Sequence, residues 1–260
     1  MRFPLAFWRL LRVIGHALYA WWVISIRFRR YSQPQRRAWI EQWARRMLTI
    51  MGIRLEVRGT PPEHGPALVI SNHVSWLDII ALHAARNVRF VSKSGVRHWP
   101  LIGTLSTGTG SLYIERERRR DTLRIVHRMA EALREGDLIA VFPEGTIGDG
   151  VALLPFHGNL LQAAISADAP IQPVALRYAD AASGRTSFAP RYLGPDSLIV
   201  SMWRVLMARP LVAHVHFGAL QTLQDRSRRT WATALHDEVR ALWRVTFPGE
   251  GEGDRDSGSR

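Results

Sequence analysis

The chain has no cysteine. That excludes a thiol nucleophile, a cysteine-based zinc site and any disulfide framework, and it fits a reducing compartment. Lysine is nearly absent as well: Lys93 is the only one, so covalent lysine chemistry has a single possible address. A long uninterrupted apolar run is also missing. Residues 5–26 are mostly apolar but carry Arg9 and Arg12, leaving 13–26 as the clean stretch. A spanning helix needs about 20 such residues. Acidic residues are scarce, 22 against 35 basic ones, for a net charge of +13 that is almost wholly arginine. Such a balance favours anionic partners: lipid headgroups, phosphorylated substrates, acidic carrier proteins or nucleic acid. No recognised nucleic-acid module accompanies it. With 47% hydrophobic and 22% charged residues, the 260-residue chain is globular, one domain with an appended segment.

Tryptophan, by contrast, is abundant. Trp8, Trp21, Trp22, Trp39 and Trp43 fall within the first 43 residues, beside arginines. Tryptophan concentrates where an apolar ring keeps its N–H wet, as at a membrane surface. Arg27, Arg29 and Arg30 follow the apolar run at once, unlike the small-residue cleavage site of a secretory signal. The expectation is a helix lying in or dipping into the cytoplasmic leaflet, with a single tilted span as the alternative. Pro34 opens a second helix with Trp39, Ile40, Trp43, Met47, Ile50 and Met51 on one face; Arg37, Glu41 and Arg45 lie on another, and Gly52 is its stop.

Beyond this platform the pattern alternates. Strand-like runs occupy 54–57, 67–71, 88–92, 111–114, 138–142, 171–177 and 211–217, with helical patterns at 121–135, 159–167 and 230–245. Strands alternating with helices predict an α/β fold: a mixed sheet of about seven strands flanked by helices, behind an N-terminal two-helix membrane platform. The expected division is 1–51 for the membrane-associating helices, 52–247 for the main domain and 248–260 for a disordered tail rich in Gly, Asp, Ser and Arg.

Two motifs carry chemistry. In Asn72-His73-Val74-Ser75-Trp76-Leu77-Asp78, a histidine precedes an aspartate by five positions. On a regular helix their side chains would diverge by about 140°. If His73 lies before the helix, with Ser75 as N-cap and Asp78 at N3, the imidazole folds back over the first turn. A carboxylate on one ring nitrogen then fixes the tautomer and leaves the other as a base. In Phe142-Pro143-Glu144-Gly145-Thr146, an apolar strand ends in a turn carrying a carboxyl and free amides. Ligands bind at strand ends in such sheets. The strand at 111–114 leads to Arg116, a guanidinium suited to clamping a phosphate; Arg118, Arg119 and Arg120 read as a solvated basic face. His214 and His216 share a strand face without a third ligand nearby and read as structural, so no metal is expected.

As an ordered set, Asn72 to Asp78, Gly110 to Arg116, Phe142 to Thr146 and Ile171-Gln172-Pro173-Val174 resemble the four blocks of the glycerolipid acyltransferases, in the lysophosphatidic acid acyltransferase branch. Further stretches agree: Phe90-Val91-Ser92-Lys93, Trp99 to Gly103 and Leu154 to Gly158. The resemblance implies His73 as general base and Asp78 as its orienter. It implies Glu144, Gly145, Thr146 and Arg116 at the acceptor's polar head, and Lys93 stabilising the thioester oxyanion with backbone amides. It implies acyl-carrier protein or acyl-coenzyme A as co-substrate, no further cofactor, a lysophospholipid acceptor and a place on the cytoplasmic face of the inner membrane. Two positions depart from the family: Ile147 and His157 stand where it favours an arginine and a lysine. Loss of two cations keeps open a phosphate-free acceptor such as lyso-ornithine lipid. A non-catalytic binder of anionic lipid is the remaining alternative.

Overall fold

The structure is a computed structural model that describes residues 2–114, 119–194, 196–223 and 226–246. Two helices come first. Helix α1 (Phe3–Trp22) runs into a π-helical turn at Val23–Arg27, and α2 is Gln33–Met51. Seven strands follow: β1 (Ile53–Arg58), β2 (Ala67–Ser71), β3 (Arg89–Lys93), β4 (Leu112–Ile114), β5 (Leu138–Val141), β6 (Ile171–Asp180) and β7 (Leu211–Phe217). Between and after them lie α3 (Leu77–Ala85), α4 (Ile102–Gly108), α5 (Arg119–Arg134), α6 (Leu161–Ala167), α7 (Leu198–Met207) and α8 (Arg228–Thr246). The strands make one mixed sheet in the order β1-β7-β6-β2-β5-β3-β4. All neighbours are parallel except β6 with β7.

Central strands must be apolar on both faces, and β2 is. Its Ala67 and Val69 pack into the layer formed with α1, α2, α3 and α7, while Leu68 and Ile70 face α5, α6 and α8. Strand β5 divides the same way, Leu138 and Ala140 to the first layer, Ile139 and Val141 to the second. These are the runs the sequence marks as strands. Helices α4 and α7 have no counterpart among the sequence-predicted elements: α4 is seven residues, and in α7 apolar residues dominate most of the surface.

Helix α1 is not a span: no helix of the described residues is long and apolar enough to cross a membrane. It docks on α2 and α7 through small residues, Ala6, Val13 and Ala17. Its large apolar residues, including Phe7, Trp8, Leu11, Leu18 and Trp22, remain exposed. Helix α2 starts at a full capping box between Ser32 and Gln35 and ends at Gly52, whose φ of 80° suits glycine. Its polar face is not left to solvent. Glu41 accepts from the Asn87 amide at 3.0 Å and Arg45 donates to the Ala84 carbonyl at 2.7 Å, fixing the end of α3. The segment 248–260, expected to be a disordered tail, lies outside the described residues.

Candidate active site

Strand β2 ends at Ser71, and the next residue locks it to β6. The Asn72 side-chain amide donates to the Leu176 carbonyl (2.9 Å), and its oxygen accepts from the Leu176 amide (2.8 Å). His73 follows this bridge and begins the turn into α3. Its Nδ1 lies 2.8 Å from Asp78 Oδ2. The same oxygen accepts the amides of Val74 at 2.7 Å and Ser75 at 2.9 Å. Asp78 Oδ1 accepts from the Tyr178 hydroxyl at 2.8 Å. Asp78 is 0% exposed, and four donors compensate its burial.

The expected geometry is therefore present by a somewhat different route. Helix α3 begins at Leu77, and the preceding Trp76 makes no side-chain cap. The Ser75 hydroxyl takes the Leu77 amide at 3.2 Å, so Ser75 does not cap Asp78 as the motif suggests. It is Asp78 that reaches back over the turn. With a carboxylate facing Nδ1, that nitrogen carries the proton and Nε2 holds a lone pair. The imidazole is held from its face too: it stacks on Phe142 with centroids 3.9 Å apart and planes 8° apart, and Phe142 stacks on Phe90. The His73 carbonyl accepts the Gly148 amide at 2.7 Å.

Phe142 opens the loop after β5. At Gly145, φ is 71°, which permits the turn closed by the Gly145 amide on the Phe142 carbonyl. Gly145 and Thr146 are exposed there, as an acceptor site requires. The Glu144 side chain instead turns inward. Only 4% exposed, it accepts the backbone amides of His73 and Leu154 and ties the two loops together. Burial first, and then Asp78 nearby, push its carboxyl up to about 8 against the favourable amide contacts.

Lys93 ends β3, the strand that carries Phe90, and is exposed with no hydrogen bond or ion pair among the described residues. Arg116 lies outside the described residues, two positions beyond the end of β4. His157 packs beside Gly145, its amide on the Pro143 carbonyl at 2.8 Å, and Ile147 is half-buried. His214 sits 3.3 Å from Glu56 on the neighbouring strand. Sequence reasoning misses Tyr178. Its signal was a hydroxyl within the apolar run of β6, where a buried polar group needs a partner.

The acyltransferase family model matches residues 54–177. A 1-acyl-sn-glycerol-3-phosphate acyltransferase of Neisseria meningitidis serogroup B is 34% identical over 212 residues, covering 81% of this chain and 82% of that protein. A lyso-ornithine lipid O-acyltransferase of Pseudomonas aeruginosa is also 34% identical, over 239 residues and 90% of each chain. The crystal structure of the 1-acyl-sn-glycerophosphate acyltransferase from Thermotoga maritima has the same fold, with a TM-score of 0.62 at 18% identity over 92% of this chain and 96% of that one. With relatives of this identity aligned over most of their length, and His73, Asp78 and Glu144 all inside the matched segment, the chain belongs to the acyltransferase family and is an enzyme of acyl transfer.

Proposed function

We propose that the protein transfers an acyl chain from an acyl thioester to the hydroxyl of a membrane lyso-lipid, with the sn-2 hydroxyl of lysophosphatidic acid as first acceptor. The carrying observation is the 2.8 Å contact of His73 Nδ1 with a fully buried Asp78. His73 Nε2 takes the hydroxyl proton as the oxygen attacks the thioester carbonyl. The C–O bond forms, the C–S bond breaks, and the imidazolium returns its proton to the departing thiolate. No acyl-enzyme is needed, because a thioester is already activated. Lys93, at the sheet end where Phe90 reaches the His73 stack, is the cation for the developing oxyanion, with backbone amides beside it. Gly145, Thr146 and Arg116 are read as the acceptor's binding loops. Glu144 supports them from beneath by holding both loop backbones.

The apolar outer face of α1, edged by Arg12, Arg27, Arg29 and Arg30, suits the surface of an anionic leaflet. The assigned place is thus the cytoplasmic face of the inner membrane, with acyl-carrier protein or acyl-coenzyme A as donor. A binder without catalysis has no use for a buried aspartate holding an imidazole. A lyso-ornithine lipid acceptor is the second reading, favoured by Ile147 and His157 and by the Pseudomonas relative. The test is an assay of purified protein with lysophosphatidic acid and lyso-ornithine lipid under one donor. His73→Ala should lose about 10²–10⁴-fold in turnover with either acceptor. Near-wild-type transfer by that variant would sink the mechanism, and a clear preference for lyso-ornithine lipid would reassign the acceptor alone.

A further inference from the structure

A cleft of about 290 Å³, open to solvent, lies against the turn that carries His73. Val74 forms one wall; Arg177, Thr186, Phe188, Arg191 and Trp243 form others. A second cleft of about 200 Å³, lined by Asn72, Glu144 and Gly148, shares Val74, Gly150 and Trp243 with it, so the space continues behind the His73 loop. The backbone explains the proximity. His73 and Arg177 are the residues that immediately follow the two ends of the Asn72–Leu176 bridge.

Arg177 is an unusual wall residue. It is 5% exposed, with its guanidinium 4.1 Å from the centroid of the Trp243 ring and a hydrogen bond to the Thr186 hydroxyl. Arg191 is held over the Phe188 ring at 3.9 Å and donates to the Asp149 carbonyl. Both guanidinium groups are thus set in place by aromatic faces before any ligand arrives. The cleft's one carboxylate, Asp149, already spends Oδ1 on the amides of Val151 (2.8 Å) and Ala152 (3.3 Å). Fixed guanidinium groups in a partly desolvated wall attract an oxyanion far more strongly than solvated ones. The two cations missing from the β5 loops at Ile147 and His157 leave that role open.

We propose that this cleft binds the oxyanion of the acceptor's head group, with Arg177 as the fixed cation and Arg191 as the second. The inference rests on the acyl-transfer reading of His73 and adds where the head group sits. Arg177 and Arg191 are binding residues that take no part in proton transfer. A phosphate monoester and a head-group carboxylate share the required chemistry, and the experiment separates them.

Purified full-length protein is titrated with sn-glycerol 3-phosphate, with the carboxylate of free ornithine and with glycerol, following binding by calorimetry and by thermal shift. Arg177→Lys, Arg177→Met and Arg191→Ala are compared with wild type, and each is assayed with both lyso-lipids. The expected result is saturable binding of one oxyanion probe and none of glycerol, weakened about tenfold or more by Arg177→Met and by Arg191→Ala. Arg177→Lys should fall between. KM for the matching lyso-lipid should rise about tenfold while kcat stays within about threefold. Should Arg177→Met fail to fold, Arg191→Ala, at a partly exposed position, still decides. No binding of either probe, or unchanged affinity and KM in Arg191→Ala and Arg177→Lys, overturns the proposal. If the protein binds the probe through these arginines yet transfers no acyl group, the transfer reading fails and the anion site stands.

Discussion

The two oxygens of Asp78 have different partners. Oδ2 collects His73 Nδ1 and two amides from the turn, whereas Oδ1 takes the Tyr178 hydroxyl from across the sheet. Tyr178→Phe leaves the ring in place and removes one donor from a buried carboxyl. The expected outcome is a loss of about 1–3 kcal/mol in stability, with activity reduced less than by His73→Ala, read by urea unfolding and by kcat. Equal loss in the two variants would place Tyr178 in the chemistry itself. Glu144 gives a pH test. Its folded pKa, about 8, lies above the ordinary carboxyl value of 4.5, so it favours folding below pH 4.5 and that contribution is lost as pH rises through 8. Buried His83, pushed down to about 4, slopes the other way between pH 6.5 and 4. The melting temperature of Glu144→Gln minus that of wild type should therefore climb from pH 4.5 to 8; a flat difference would mean the carboxyl is not held this way. His73, Asp78 and the turn at Gly145 were legible in sequence because each sits at a strand end with recognisable spacing. Tyr178 and the inward turn of Glu144 were not, because both depend on contacts between segments far apart in the chain.

At the scale of elements, strands were more legible than helices. A buried central strand announces itself as a continuous apolar run, and β2, β5, β6 and β7 are such runs. Helix α1 shows the limit. Its composition gives an apolar, interfacial segment, but the side that faces the protein is the one with the smaller residues, because close approach to α2 and α7 favours small side chains. The hydrophobic pattern alone points the wrong way round. Two substitutions should separate the faces. Ala6→Leu forces bulk into a fully buried position and should cost about 1–3 kcal/mol of stability. Leu18→Gln, on the exposed side, should stay within about 0.5 kcal/mol and weaken vesicle binding instead. Urea unfolding and vesicle flotation read the two effects separately, and a reversal of the pattern would turn α1 over. Helix α7 extends the outer face: Ile199 is 79% exposed, and Phe3 of α1 meets Trp203 of α7 edge to face.

For the whole molecule, alternation of strands and helices predicts the layered sheet but not its order. Strand β5 inserts between β2 and β3, and this insertion is what brings Phe142 beside His73 and Glu144 beneath it. The charge distribution was legible as a sum, and the structure supplies the surface on which it acts. A net charge of +13 and the exposed apolar row of α1 make two contributions to membrane attachment that respond differently to salt. Each basic residue near an anionic surface is worth about 1 kcal/mol, and at 1 M salt the screening length falls to about 3 Å. Apolar insertion is not screened. Flotation with vesicles containing anionic lipid should thus exceed that with neutral vesicles at low salt and converge on it at about 1 M, without vanishing. Leu18→Gln should lower the salt-resistant remainder and leave the salt-sensitive part unchanged. Complete release at high salt would show that α1 touches the leaflet only through its arginines, and equal binding to both vesicles at low salt would show that the arginine excess serves the substrates rather than the membrane.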